Sequence, residues 1–295
     1  MLLDRDVPTP TNVFDAAMPP LVPSLVSSQV RLVAAIAPGD DDDVLRLAWA
    51  RSQSWAVPLV LCTVIDDDDD RATVATVLAA RVRRVLPADA NVAMQVRVGD
   101  PGEQILACAH IYNAGMIVLG QVTQREGLFA RLFRPSVPTA VVRAAPCPIL
   151  LVRAAAGTGR ILIATDLTDP TWPTLHAGAA EHLRTHGEVT VLHCIEPSSE
   201  LASVDATLAG ATGALERAAA AAELGGATLM VEFGPASSTI LEKARAMSAD
   251  LIVVGTHGRR GLRVLLGSTA EDVTRGAACD VLVVRITGPE AVAIE

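Results

Sequence analysis

Aromatic residues are scarce in this chain: one Tyr, three Trp and four Phe among 295 residues, 3% in all. Its cores must therefore be aliphatic, and 51% of the residues are apolar. Val, Leu, Ile and Ala in that proportion suit parallel strands buried on both faces beneath helices. Positive charge is also short. Twenty-four Lys and Arg stand against 33 Asp and Glu, a formal net charge of -9. That is the wrong sign for gripping a phosphate backbone, so no nucleic-acid partner is expected. No apolar run approaches the roughly 20 residues that cross a bilayer, so no membrane partner is expected either. The first residues lack the basic segment and unbroken apolar stretch of a secretory leader, and the expectation is a cytoplasmic protein. Five cysteines, Cys62, Cys108, Cys147, Cys194 and Cys279, form no C-x-x-C pair. They read as reduced core thiols, not as a disulfide framework or a metal site.

What is present is a repeat. After a Pro-, Ser- and Thr-rich tail over 1–28, short apolar runs alternate with helix-length stretches. The first half has runs at 30–37, 58–65, 92–98, 116–120 and 149–152, with helices expected at 44–56, 71–86, 103–113 and 137–145. The second half has runs at 160–165, 189–195, 228–233, 251–255 and 281–285, with helices expected at 171–185, 201–224, 238–247 and 268–276. Such alternation means βαβ units and a parallel sheet with right-handed crossovers. The halves also match residue by residue: Met116-Ile117-Val118-Leu119-Gly120 parallels Leu251-Ile252-Val253-Val254-Gly255, and Cys147 to Arg153 parallels Cys279 to Arg285. The boundaries read as a tail 1–28, a first domain 29–153, a linker 154–159 with Ala-Gly-Thr composition, a second domain 160–287, and a tail 288–295.

One stretch carries chemistry. The apolar run 251–254 leads into Gly255, Thr256, His257 and Gly258, then Arg259, Arg260 and Gly261, and on to Gly267, Ser268 and Thr269. Glycines let the backbone approach an anion closely, and a helix opening at Ser268 would add its positive N-terminal end. Ser268 and Glu271 have the S-x-x-E spacing of a capping box, which would make Ser268 the N-cap. Arg259, Arg260 and Arg263 could add charge around a triphosphate. The blander reading is a plain strand-to-helix turn with its arginines in water. Asp166, ending the first run of the second half after Ala164 and Thr165, could line the same cleft or could simply form an Asx turn. His193 reads as a satisfied strand-end histidine. His182 and His186 have metal-capable i, i+4 spacing, but no third ligand accompanies them.

The run LIVVGTHGRRGL…LLGSTAE…CDVLVVR, with ILIATDLTDP and VTVLHCIEP before it, resembles the universal stress protein family, in two tandem copies covering nearly the whole chain after the tail. The resemblance implies two open, mostly parallel five-stranded sheets of order 3-2-1-4-5 with helices on both faces, a Rossmann-like α/β fold. It implies that the last strands, 149–152 and 281–284, pair within the chain as a pseudo-dimer, with a homodimer built on top. It implies that Ala164, Thr165, Asp166, the backbone at Cys194, Gly255, Gly258, Arg259, Gly267, Ser268 and Thr269 hold an adenine nucleotide. Nucleotide-binding members carry G-x2-G-x9-G-(S/T), whereas eight residues separate Gly258 from Gly267, so this loop is one residue short.

The first copy has lost these features. Thr123 and Pro135 stand where glycines belong, and Ala37 stands at the place of Asp166. A proline offers a phosphate no N–H. Acidic runs, Asp40 to Asp43 and Asp66 to Asp70, follow its first two strands. They read as helix-opening, solvated acids more readily than as a Ca²⁺ or Mg²⁺ site. The expected protein is a stress-response sensor or regulator whose second domain alone binds ATP or a related adenine nucleotide, with or without Mg²⁺, and whose state is read by a regulatory protein partner. No general base stands out, so slow ATP hydrolysis is the most that is expected of it as an enzyme. A nucleotide-free interaction scaffold of the same fold is the alternative.

Overall fold

The computed structural model describes residues 30–37, 42–120, 136–153, 159–168, 173–196, 203–256 and 267–285. Strands β1 (Arg31–Ala35), β2 (Leu59–Ile65), β3 (Val92–Val98), β4 (Ala114–Gly120) and β5 (Ile149–Val152) alternate with helices α1 (Asp42–Ser54), α2 (Arg71–Val85), α3 (Pro101–Ile111) and α4 (Ser136–Ala144). The second half repeats the pattern. Its strands are β6 (Ile161–Thr165), β7 (Val189–Ile195), β8 (Thr228–Phe233), β9 (Leu251–Gly255) and β10 (Asp280–Val284). Its helices are α5 (Pro173–Thr185), α6 (Val204–Ala221), α7 (Ala236–Ala246) and α8 (Ser268–Gly276).

The strands form one ten-stranded sheet in the order β3-β2-β1-β4-β5-β10-β9-β6-β7-β8. Each half therefore has the expected order 3-2-1-4-5. All pairings within a half are parallel, and the junction of β5 with β10 is antiparallel. At that junction Leu150 lies opposite Leu282, flanked by Ile149 with Val283 and Leu151 with Val281. The expected intrachain pairing of the last strands is present.

Helices cover both faces because the inner strands are apolar on both sides. Every residue of β2 is buried, as an unbroken Leu-Val-Leu-Cys-Thr-Val-Ile run requires. Alternation along β1 sends Leu32 and Ala34 to one face and Val33 and Ala35 to the other. The first face packs under α1, α2, α5 and α6, the second under α3, α4, α7 and α8. Each core runs through both halves without a break. The outer strands β3 and β8 are only partly covered and carry the polar Gln95, Arg97 and Glu232.

Two glycines mark the repeat in the backbone. Gly99 (φ +125°) and Gly234 (φ +145°) follow β3 and β8. Their N–H groups donate to Ile65 and Ile195 carbonyls at 3.1 and 3.0 Å, turning the chain into α3 and α7.

Candidate functional site

In each half the chain begins at the sheet's middle strand, runs outward through two strands, then crosses back to the other side. The crossover leaves a crevice at the carboxyl ends of β6 and β9 in the second half, and of β1 and β4 in the first. Open α/β sheets bind ligands at such switch points.

The second-half crevice gathers most of the residues singled out in the sequence. Ala164 and Thr165 end β6 and are half-buried, with Asp166 directly after them. Thr165 lies opposite His193 on β7, and Cys194 follows. Gly255 ends β9. Gly258 and Arg259, with Arg260, Gly261, Arg263 and His257, lie outside the described residues. The loop's two ends are described, and they are joined. Thr256 N–H donates to Val284 O at 2.9 Å, and Gly267 N–H donates to Thr256 O at 2.7 Å. Gly267 is thereby held beside the end of β9, at the start of α8.

The helix opening differs from the capping-box expectation. Gly267, not Ser268, is the N-cap, and no side chain caps the helix. Ser268 and Thr269 are its first two residues. The Glu271 carboxylate is engaged elsewhere, by Arg143 of α4 and Arg275 at 2.8 Å each. Arg143, then Arg275, hold that carboxyl below its ordinary value. With glycine at the N-cap there is no capping side chain, and among the described residues the first-turn N–H groups have no intrahelical or side-chain partner.

Asp166 forms the Asx turn allowed for it. Its carboxylate accepts from Thr168 N–H at 3.1 Å and from the Thr168 hydroxyl at 2.7 Å. Leu167 takes a left-handed conformation (φ +61°) inside this turn. Two bonds leave acceptor capacity on the carboxylate, which has about four lone-pair sites. His193 is a satisfied strand-end histidine, 3% exposed, with Nδ1 2.9 Å from the Thr165 carbonyl. The matching bond in the first half runs from the Thr63 hydroxyl to Ile36 O, also at 2.9 Å. Burial first, then Glu232 and Glu196, push the Cys194 thiol up to about 11. It stays protonated at neutral pH and offers no thiolate nucleophile. His182 Nδ1 sits 2.7 Å from Gly187 O, closing the end of α5. Among the described residues no group of three or more His, Cys, Asp or Glu side chains is placed to hold a metal ion.

The first-half crevice is built differently. Arg81 of α2, 7% exposed, reaches the end of β1. Its Nη1 donates to Ala37 O at 3.2 Å and its Nε to Asp42 at 2.8 Å. Arg84 adds a second bond to Asp42 at 2.8 Å. Burial would raise the Asp42 carboxyl, but Arg81 and Arg84 together hold it below its ordinary value. Where the second half presents Asp166, the first thus presents a backbone carbonyl already taken by a guanidinium. Asp42 and Asp43 open α1, and Asp68 pairs with Arg71 at 2.7 Å. Thr123, Pro135, Asp40 and Asp41 lie outside the described residues.

Sequence reasoning missed Arg81, since an Arg inside a helical stretch carries no mark of where it reaches. It also missed a buried ion pair between the halves, Arg51 of α1 with Glu181 of α5. Both side chains are at most 3% exposed, and the second of their two bonds measures 2.9 Å. The available signal was a charged residue of opposite sign on the apolar stripe of both first helices. A cavity of about 620 Å³ lies at the opposite, amino-terminal edge of the sheet, beside Arg51, Arg160 and Arg245. It is not the crevice described above, which lies at the carboxyl ends of the strands.

Comparison with known proteins gives a consistent picture. The model of the universal stress protein family matches residues 31–153 and again 157–285. Universal stress protein A homolog 2 of Coxiella burnetii is 56% identical over 59 residues, 20% of this chain and 40% of that protein. Universal stress protein MJ0531 of Methanocaldococcus jannaschii is 54% identical over 59 residues, 20% of this chain and 34% of that protein. The matched stretch thus spans well under half of these relatives. Among solved structures, a universal stress protein from Archaeoglobus fulgidus covers 88% of this chain and 97% of its own, with a TM-score of 0.60 at 20% identity. A functionally unknown protein from Pseudomonas aeruginosa PAO1 covers 88% of this chain and 94% of its own, with a TM-score of 0.69 at 24% identity.

Proposed function

Because the chain belongs to the universal stress protein family, with two copies of the family domain in tandem, we propose that it is a stress-response regulator whose second domain binds an adenine nucleotide. ATP is the nucleotide expected, alone or with Mg²⁺. The first domain serves structure and regulation, and the nucleotide-dependent state is read by a regulatory protein partner. The observation that carries this reading is the opening of α8. It is an uncapped helix N-terminus at a switch-point crevice, with Gly267 held in place by Thr256. Backbone N–H groups at such an end, with the helix dipole behind them, attract phosphate. Ser268 and Thr269 add hydroxyl donors, and Arg259 of the glycine loop adds charge. Asp166 has acceptor capacity left for a ribose hydroxyl or a phosphate-bound cation, and the Cys194 backbone lies at the neighbouring strand end for the base. In the first domain, Arg81 and Asp42 occupy the matching position, which favours nucleotide binding in the second domain only.

The test is direct. Protein purified without added nucleotide is denatured, and what it releases is identified by chromatography and mass. Mg²⁺-ATP is then titrated into the parent chain and into Gly258→Ala and Ser268→Ala. Adenine nucleotide released from the parent, with weakened binding in both variants, is the expected result. An empty parent with no heat of binding would sink the nucleotide reading. The shortened loop would then favour a nucleotide-free interaction scaffold.

A further inference from the structure

Arg51 and Glu181 occupy the same position in the two repeats, and they touch. They lie 130 residues apart, and the same offset carries Leu45 to Leu175, Ala48 to Gly178 and Ala56 to His186. The match extends to backbone conformation, since Ala56 and His186 share φ +53°. In a two-fold interface, a residue that meets its own equivalent lies on the axis. Leu150 and Leu282, also equivalent, meet in the same way in the sheet. The pseudo-two-fold axis therefore passes through Leu150–Leu282 and, in the helix layer over that face, through Arg51–Glu181.

One other pair of equivalent positions beside the axis differs in charge: Asp280 of β10, 9% exposed, accepts from Arg153 N–H at 2.7 Å across the junction and stands where the first half has Pro148. The paired strand segments are Ile149-Leu150-Leu151 and Val281-Leu282-Val283, interchangeable aliphatics. The flanking arginines both reach into the other half, though to non-equivalent carbonyls: Arg153 donates to Thr274 O, and its equivalent Arg285 donates to Ala145 O. Among these described positions, Arg51 with Glu181 is the pair at which two like halves would bury like charges. Glu181 is held bidentate by Arg51 and also by Arg184 at 2.8 Å, and Arg51 lies 5.8 Å from the Trp55 ring centre. A buried ion pair adds little stability over apolar side chains of the same size. A buried like-charged pair is costly, so the wrong partner is rejected more strongly than the right one is rewarded.

We propose that Arg51–Glu181 is a pairing code: it makes the axial face of the first half specific for a second half, and closes that face to the like half of another copy. Two first halves would bury Arg against Arg, and two second halves Glu against Glu. Any self-association of the chain is thereby directed to other surfaces. The proposal does not depend on nucleotide binding.

The test uses the full chain in three variants, Arg51→Glu, Glu181→Arg and the double exchange, each made with two different tags. Each single variant buries like charges and is expected to lose about 10 °C or more in melting temperature. The double exchange restores opposite charge and is expected to recover most of that loss. The decisive step is to refold the two single variants together from urea. The acidic first half of one then fits the basic second half of the other, and the reverse. A reciprocal two-chain assembly is expected, of twice the chain mass by light scattering and captured through either tag. Neither variant refolded with its own tagged copy is captured. Single variants that melt with the parent, a double exchange that stays as low as the singles, or a mixture with no more cross-capture than self-capture would each overturn the proposal.

Discussion

Gly267 donates its N–H to the carbonyl of Thr256 at 2.7 Å, which pins both ends of the glycine loop beside the last turn of β9. Residues between fixed ends can differ in number without moving those ends. A loop one residue short of the family spacing therefore still delivers Ser268 to the head of α8. Because Ser268 is the first helical residue and caps nothing, its hydroxyl is not committed to the fold. Ser268→Ala is expected to leave the melting temperature unchanged while weakening adenine nucleotide binding about tenfold, the scale of one hydrogen bond to a charged group. Paired melting and titration calorimetry check both halves of this. A melting temperature that falls as far as the affinity would make Ser268 structural.

Asp166 permits a similar separation. Asn keeps an oxygen for Thr168 N–H but gives up the charge, whereas Ala gives up the turn. Asp166→Ala is expected to cost about 1 kcal/mol, or roughly 2–4 °C. Asp166→Asn is expected to melt with the parent and to show weaker nucleotide binding if the carboxylate meets the ligand or its cation. Equal affinity in the parent and Asp166→Asn would confine Asp166 to its turn.

Glu181 sets a pH dependence. Burial works against its ionised form, but Arg51 and Arg184 outweigh it, and the folded value lies below the ordinary 4.5. With a depressed folded value, the stabilisation is present above about pH 4.5 and is lost as the pH falls through the folded value. Urea midpoints measured from pH 7 to pH 3 should fall more steeply for the parent than for Arg51→Met/Glu181→Met, which removes both charges at similar volume. Parallel curves would show that Glu181 takes no part in the acid transition.

The strands were legible because most are short aliphatic runs bounded by glycine, proline or acid. Leu251–Gly255 and Thr228–Phe233 coincide with their expected ranges, and β1 is shorter than its run because Val30, Ile36 and Ala37, all buried, lie beyond its ladder pairs. The pairing of β5 with β10 followed from family resemblance, since composition alone cannot say which edge meets which. Of the candidate site, the strand end at Gly255 and the helix start at Ser268 were legible. Its helix cap was not. A local S-x-x-E pattern gives no hint that Arg143, 128 residues away, holds Glu271. Arg81 and Arg51 escaped for the same reason, since their partners lie in other elements.

Gly178 shows how the two halves solve one packing problem with different volumes. It sits on α5 over β6, and a Cβ there would come within 2.1 Å of Ile163 Cδ1 and 2.6 Å of Ile163 Cγ1. The equivalent positions in the first half hold Ala48 and Ala34, both fully buried. One half thus sets Gly over Ile where the other sets Ala over Ala. Two effects then oppose each other in Gly178→Ala. Helix propensity favours Ala by about 1 kcal/mol, while overpacking against Ile163 costs about 1–3 kcal/mol. Overpacking is expected to win in the parent, so the single variant is destabilised. In an Ile163→Ala background the obstacle is gone, and the same substitution is expected to stabilise by about 1 kcal/mol. Chemical denaturation of the four chains of this cycle measures the coupling directly. Additive effects would mean that Ile163 swings aside at no cost, and that the Gly178–Ile163 contact does not set the spacing between α5 and the sheet.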